Sequence, residues 1–176
     1  MSENIPPGPN PPERIYVRIE IPSGSKVKYE YDKDFKVILV DRILHSSVVY
    51  PAAYGFIPQT LCKDGDPLDV LVPLSSGIEL IPGCILIARP VAVLNMKDEK
   101  GEDDKIIAVP TDDPRMDEIQ SMSSIPKHLR REIEEFFDTY KHLERGKTTK
   151  IVGWADKGEA QRIITKAINL YIQKND

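Results

Sequence analysis

Three carboxylates stand within the six residues Asp64-Gly65-Asp66-Pro67-Leu68-Asp69, and the apolar Val70-Leu71-Val72 follows at once. Like charges so close repel, so the cluster is costly unless it surrounds a cation or reserves one carboxylate for proton transfer. Taken alone it reads as a solvated turn, because Asp and Gly are turn formers in their own right. A second acidic run, Asp98-Glu99-Lys100-Gly101-Glu102-Asp103-Asp104, lies between two predicted strands. Together the runs offer the many oxygens that a hard cation such as Mg²⁺ takes. An EF-hand does not fit, with Gly second, Pro fourth and no preceding helix. Zinc finds neither a C-x-x-C nor paired spacing among His45, His128 and His142.

Lys28, Arg42, Tyr54, Tyr140 and Lys141 supply the opposite chemistry. Singly, each reads as a surface charge or a ring at the edge of the core. Facing cation-holding carboxylates, they form a site for a phosphate ester or anhydride in complex with metal. A covalent nucleophile has no candidate: there is no G-x-S-x-G elbow, and neither cysteine has a catalytic context. Gly146-Lys147-Thr148 resembles the end of a Walker A loop, but position 141 holds Lys where that loop needs Gly, so it is a decoy.

The elements that must position these residues are mostly strands. Ile15, Val17, Ile19 and Ile21 alternate with Tyr16, Arg18 and Glu20, which places Glu20 on the face opposite the apolar set. Lys28 to Tyr31, Phe35 to Arg42, Val48 to Tyr50, Asp69 to Val72, Ile85 to Ala88, Pro90 to Leu94, Ile106 to Val109 and Lys150 to Trp154 complete the predicted strands. Short strands without intervening helices imply an antiparallel barrel. Two helices follow, Pro126 to Leu143 and Lys157 to Gln173, each with one apolar face.

With 176 residues the chain is expected to form one domain, 1–176, with residues 1–12 as a loose proline-rich arm. Its net charge of −4 and 7% aromatic content disfavour a nucleic-acid partner. No apolar run approaches the ~20 residues that span a bilayer. The N-terminus is polar rather than basic and then apolar, so a cytoplasmic protein with no membrane partner is expected. Cys62 and Cys84 are expected as reduced thiols.

At this point the residues resemble the soluble family I inorganic pyrophosphatases of prokaryotic type. Asp64 to Val70 is similar to that family's D-x-D-P-x-D-x motif. The likeness extends to Ile15 to Pro22, Lys28-Tyr29-Glu30, Tyr50-Pro51-Ala52-Ala53-Tyr54-Gly55, the Asp98 to Lys105 loop and Phe136-Phe137 to Lys141. The resemblance implies a mainly β fold with α, an OB-like five-stranded β-barrel flanked by two helices, and hydrolysis of pyrophosphate to two phosphates with Mg²⁺, Mn²⁺ being a possible substitute. It implies Asp64, Asp69, Asp98 and Asp103 as metal ligands, Asp66 as general base, and Glu20 and Glu30 as residues that order water. Lys28, Arg42, Tyr54, Lys105, Tyr140 and Lys141 would hold substrate, and a homohexamer is implied as the assembly. The rival readings are a non-catalytic divalent-cation-binding module and an OB-like nucleic-acid-binding domain. The first leaves the Lys, Arg and Tyr set without a task; the second lacks a basic groove with stacking aromatics.

Overall fold

The computed structural model describes residues 4–175. Nine strands and two helices follow one another as β1 Ile15–Ile21, β2 Val27–Asp32, β3 Val37–Ile43, β4 Ala53–Phe56, β5 Asp69–Val72, β6 Ile85–Asp98, β7 Gly101–Glu102, β8 Lys105–Pro110, α1 Lys127–Thr139, β9 Thr149–Asp156 and α2 Lys157–Asn175. β1 pairs with β4, β4 with β5, β5 with β8, β8 with β6, and β6 returns to β1. Five strands therefore close into a ring, as the expected barrel requires. One pairing is parallel, β5 with β8, where alternation alone implies an antiparallel barrel throughout.

β6 is the hub. The two short strands expected from Ile85 to Leu94 are one 14-residue strand with a register shift between Pro90 and Ala92. The shift lets the strand pass a residue that has no N–H to give to the ladder. It pairs with β1 near its start and with β7 and β9 near its end. The packing is divided by the strand alternation. Val70 and Val72 join a cluster to which all five ring strands and α2 contribute, whereas Leu71 joins another closed by Ile133, Phe136 and Phe137 of α1.

β2 and β3 form a separate hairpin in which Lys28 and Arg42 are register partners. The expected strand Val48 to Tyr50 is irregular: the Tyr50 N–H donates to Ser25 O (3.0 Å) and its carbonyl accepts from Gly24 N (2.8 Å). The strand lies instead at Ala53–Phe56, where Ala53 and Gly55 interrupt the strand signal of Tyr54 and Phe56. α1 stops at Thr139, four residues before Leu143, and Tyr140 is its C-cap. The proline-rich arm, whose residues 1–3 fall outside the described residues, is not loose beyond them. Tyr16 N donates to Pro7 O (2.9 Å) and Arg14 N to Asn10 O (2.8 Å). Among the described residues no helix is long and apolar enough to cross a membrane.

At Gly55 β4 passes very close to β1. A Cβ there would lie 2.0 Å from the Arg18 carbonyl oxygen and 2.9 Å from Ile19 Cα, so β4 can approach β1 only without a side chain at this position. Gly55→Ala is expected to lower stability by about 1–3 kcal/mol or more, because backbone rather than a mobile side chain must give way. Urea denaturation of both proteins checks this, and coincident midpoints would contradict it.

Candidate active site

The Asp64–Asp69 segment is a turn, as its composition implies, and the turn is what aims its carboxylates. Gly65 takes φ +92°, Cys62 N donates to Asp66 O (2.8 Å), and Asp66 N donates to Asp64 Oδ1 (3.1 Å). Leu68 is fully buried and its N–H donates to Thr60 Oγ1 (2.9 Å), which pins the end of the turn. Asp64 and Asp66 are thus left on the rim, and Asp69 opens β5. Val70 pairs with Ile106 in the parallel ladder, so Asp69 arrives beside Lys105, the first residue of β8.

Lys105 is the centre of the arrangement. Its ammonium lies 2.5 Å from Asp69 Oδ2 and 2.5 Å from Asp103 Oδ1, and the residue is 3% exposed. Burial works against its charge, but Asp69 and Asp103 more than offset this and hold the ammonium above the usual lysine range. Burial likewise pushes the Asp103 carboxyl up, with Lys105 opposing. Asp104 turns to α2: it accepts from Asn95 Nδ2 (3.0 Å) and lines a neighbouring cavity of about 280 Å³ that shares Asp64, Asp69 and Asp103 with the site.

Two further walls complete the site. On the hairpin, Lys28 pairs with Glu30 and with Asp41 (3.3 Å). Arg42 Nε donates to Glu144 Oε1 (2.9 Å) and Nη1 to Asp41 Oδ2 (2.6 Å). At the end of α1, Tyr140 stacks on Phe136 with ring centroids 5.0 Å apart. Lys141 Nζ reaches Asp98 Oδ2 (3.1 Å) and Glu99 Oε2 (3.5 Å). Tyr54 is buried beside Tyr50, and burial raises both phenols well above the usual tyrosine value.

A cavity of about 360 Å³ joins these walls. Glu20, Lys28, Glu30, Arg42, Tyr54, Asp64, Asp66, Asp69, Asp103, Lys105, Tyr140 and Lys141 all line it. Asp98 stands just behind, held by Lys141. The sequence gives Glu99 no role of its own within its acidic run, sets Lys147 aside as part of a decoy, and does not mark Glu144. Glu144 anchors Arg42, and Glu99 takes both Lys141 and Lys147, the latter at 2.8 Å. Burial pushes the Glu99 carboxyl up, but hydrogen bonds from Lys147 and from backbone bring it down to about 2. Lys147 belongs to the Gly146-Lys147-Thr148 decoy: no strand and helix flank it in the manner of a P-loop, yet the lysine does face this cavity. Cys62 and Cys84 are free thiols, and burial, with Asp69 and Asp64 nearby, pushes Cys62 up to about 12. Neither is a nucleophile here.

Among the described residues no three His, Cys, Asp or Glu side chains gather in one metal-ligating group. The place for a cation is nevertheless marked by one. Two carboxylate oxygens, one each from Asp69 and Asp103, converge on the Lys105 ammonium. Mg²⁺ commonly takes one or two carboxylates and completes its shell with water and substrate phosphates, so an all-oxygen pair of this kind fits it.

The family model described as inorganic pyrophosphatase matches residues 17–172. An inorganic pyrophosphatase of Haloferax volcanii is 49% identical over 169 residues, 96% of this chain and 94% of the relative. That of Aquifex pyrophilus is 48% identical over 171 residues, 96% of each chain. The crystal structure of inorganic pyrophosphatase from Thermus thermophilus superposes with a TM-score of 0.92 at 45% identity, covering 97% of this chain and 98% of that one.

Glu20 is a strongly perturbed acid of the cavity. Burial pushes its carboxyl up to about 7, the nearby Asp69 and Glu30 charges add to this, and the Tyr31 N–H, donating at 2.7 Å, opposes it. Below pH ~4.5 the group is neutral in both folded and unfolded chain and costs nothing. As pH rises to about 7 the unfolded chain ionises first, so stability falls, and above about 7 the full penalty, on the order of 3 kcal/mol, persists. Glu20→Gln keeps the acceptor for Tyr31 and removes the charge. Melted in EDTA, the variant should match the parent at pH 4 and exceed it at pH 8. Parallel stability curves across that range would contradict the assignment.

Proposed function

The chain belongs to the inorganic pyrophosphatase family, and from that premise we propose that its cavity hydrolyses pyrophosphate to two phosphates by direct attack of water, with no covalent intermediate. The observation that carries this is the meeting of an acidic floor with a wall of cationic and phenolic donors in one cavity. In this reading the water oxygen bonds to one phosphorus, the bridging P–O bond breaks, and the released electron pair leaves with the second phosphate. Asp66 takes the proton from the water. Its side chain is 65% exposed and its nearest ion-pair partner is Lys100 at 3.9 Å, so it is free to approach a bound water. Glu20 and Glu30 orient that water. Lys28, Arg42, Tyr54, Lys105, Tyr140 and Lys141 donate to phosphate oxygens, Arg42 through a planar fork already oriented by Glu144 and Asp41.

Divalent cations, Mg²⁺ first and Mn²⁺ as a substitute, when held by Asp64, Asp69, Asp98 and Asp103 would acidify water and neutralise phosphate charge. Positioning and charge neutralisation are most of what phosphoryl transfer asks of a protein. We read the chain further as one domain over 1–176, acting in the cytoplasm as a homohexamer. The free Cys62 and Cys84 support the compartment. The exposed Val40 and Ile43 of the hairpin, with Ile81, support self-association. A cation-binding module without catalysis would leave the donor wall idle.

With excess Mg²⁺ the purified chain should release phosphate from pyrophosphate and hardly at all from a phosphate monoester; no release from pyrophosphate would end this reading. Asp66→Asn keeps the shape but cannot take a proton. Its turnover should fall by roughly 10²- to 10⁴-fold. Part of the loss should return at high pH, where hydroxide replaces the base, while Mg²⁺ affinity is largely kept. Full turnover in Asp66→Asn, or loss of Mg²⁺ binding as severe as in Asp69→Asn, would move the base elsewhere, to Glu20 first.

A further inference from the structure

The substrate-holding role given to Lys105 meets a difficulty: its ammonium is already engaged. It sits 2.5 Å from one oxygen of each of Asp69 and Asp103, in a place almost closed to solvent. Those are the carboxylates that hold the cation in the reading above, on which this inference rests. A divalent cation bonded to both would come within a few ångströms of the ammonium, and two positive charges at that separation repel strongly where water is scarce. Both cannot keep the same pair of oxygens.

We propose that Lys105 is a displaceable counter-cation. Without metal it compensates Asp69 and Asp103; when a divalent cation takes that pair, the ammonium is expelled into the cavity and becomes a donor for phosphate. The side chain can make such a swing. A lysine is a point charge on a flexible stem, with no planar fork to lose, and the cavity that receives it is the one that Lys105 already lines. The apolar side of the swing is the Tyr54 ring, whose centroid is 5.7 Å from Nζ. Lys141 repeats the motif more loosely on Asp98 and Glu99. The consequence is an order of assembly. Each lysine is withheld from anions until metal frees it, so the site grips phosphate well only when the cation is in place.

The test titrates Mg²⁺ calorimetrically into the parent, Lys105→Met and Lys33→Met, the last losing the same charge from the cavity lining without touching Asp69 or Asp103. Lys105→Met should bind Mg²⁺ about tenfold or more tightly than the parent, and Lys33→Met within about threefold. In EDTA Lys105→Met should melt lower, since it leaves two carboxylates uncompensated, and Mg²⁺ should raise its Tm by more than the parent's. The factor by which Mg²⁺ strengthens orthophosphate binding should be smaller in Lys105→Met. Unchanged or weaker Mg²⁺ binding in that variant, or an equal gain in Lys33→Met, overturns the proposal while the parent's own Mg²⁺ binding leaves the functional reading intact. A parent that binds no Mg²⁺ overturns both. Should Lys105→Met fail to fold, the parent decides. Its Lys105 ammonium resonance, assigned through the Tyr54 ring, should lose its slow proton exchange when Mg²⁺ saturates the protein, and persistence of that protection overturns the proposal.

Discussion

The Lys105 ammonium between Asp69 and Asp103 is the interaction on which the site depends. A buried carboxylate or ammonium alone is costly, and a pair is stable only when geometry and hydrogen bonding are both good. Here one charge answers two, and the geometry comes from the backbone. The parallel pairing of β5 with β8 sets Asp69 and Lys105 side by side, and the chain entering β8 supplies Asp103, whose N–H is fixed on Met96 O at 2.9 Å. The Asp64 and Asp66 rim follows, because the turn that carries them is the entrance to β5.

The remaining walls are joined to this centre by charged groups together with ring packing, Tyr31 against Phe56 on the hairpin side and Phe136 and Phe137 on the α1 side. The hairpin of β2 and β3 lies outside the ring, and it is tied to the rest by the Tyr31 N–H on Glu20 and by Arg42 on Glu144. α1 delivers Tyr140 and Lys141 because Phe136 and Phe137 are sunk in the core one turn earlier, and Lys141 is then caught by Asp98 and Glu99. A cavity built this way carries its own internal salt. Substrate and cation have to exchange places with groups that already satisfy one another, which explains how so many acids persist together without unfolding the loops that bear them.

Much of this is legible in the sequence. Asp64 to Asp69 announces itself by charge density, the β1 alternation separates Glu20 from Ile19 and Ile21, and the spacing of Ile133, Phe136 and Phe137 marks α1. What escaped the sequence depends on distant pairing. A parallel ladder between β5 and β8 leaves no local periodicity of its own. Ala53–Phe56 pairs as a strand because Gly55 permits close approach to Arg18, a tertiary reason that overrides the low strand preference of Ala53 and Gly55. Val48 to Tyr50 has the composition of a strand, yet its backbone bonds go to the loop at Gly24 and Ser25. Glu144 is an ordinary charge in an ordinary context, Glu99 is one acid among several in its run and Lys147 belongs to a decoy motif, and only the folded chain shows that each one restrains a residue of the cavity or faces it. Asp104, adjacent to Asp103 and identical in type, turns to Asn95 on the other side.

The claim that Asp69 and Asp103 form a cation seat, kept by an ammonium when metal is absent, is tested most directly by anomalous diffraction from crystals grown with Mn²⁺. The account predicts a manganese peak within bonding distance of both carboxylates, with Lys105 Nζ turned toward the cavity. Manganese bound only elsewhere, with the ammonium still lodged between Asp69 and Asp103, would contradict it.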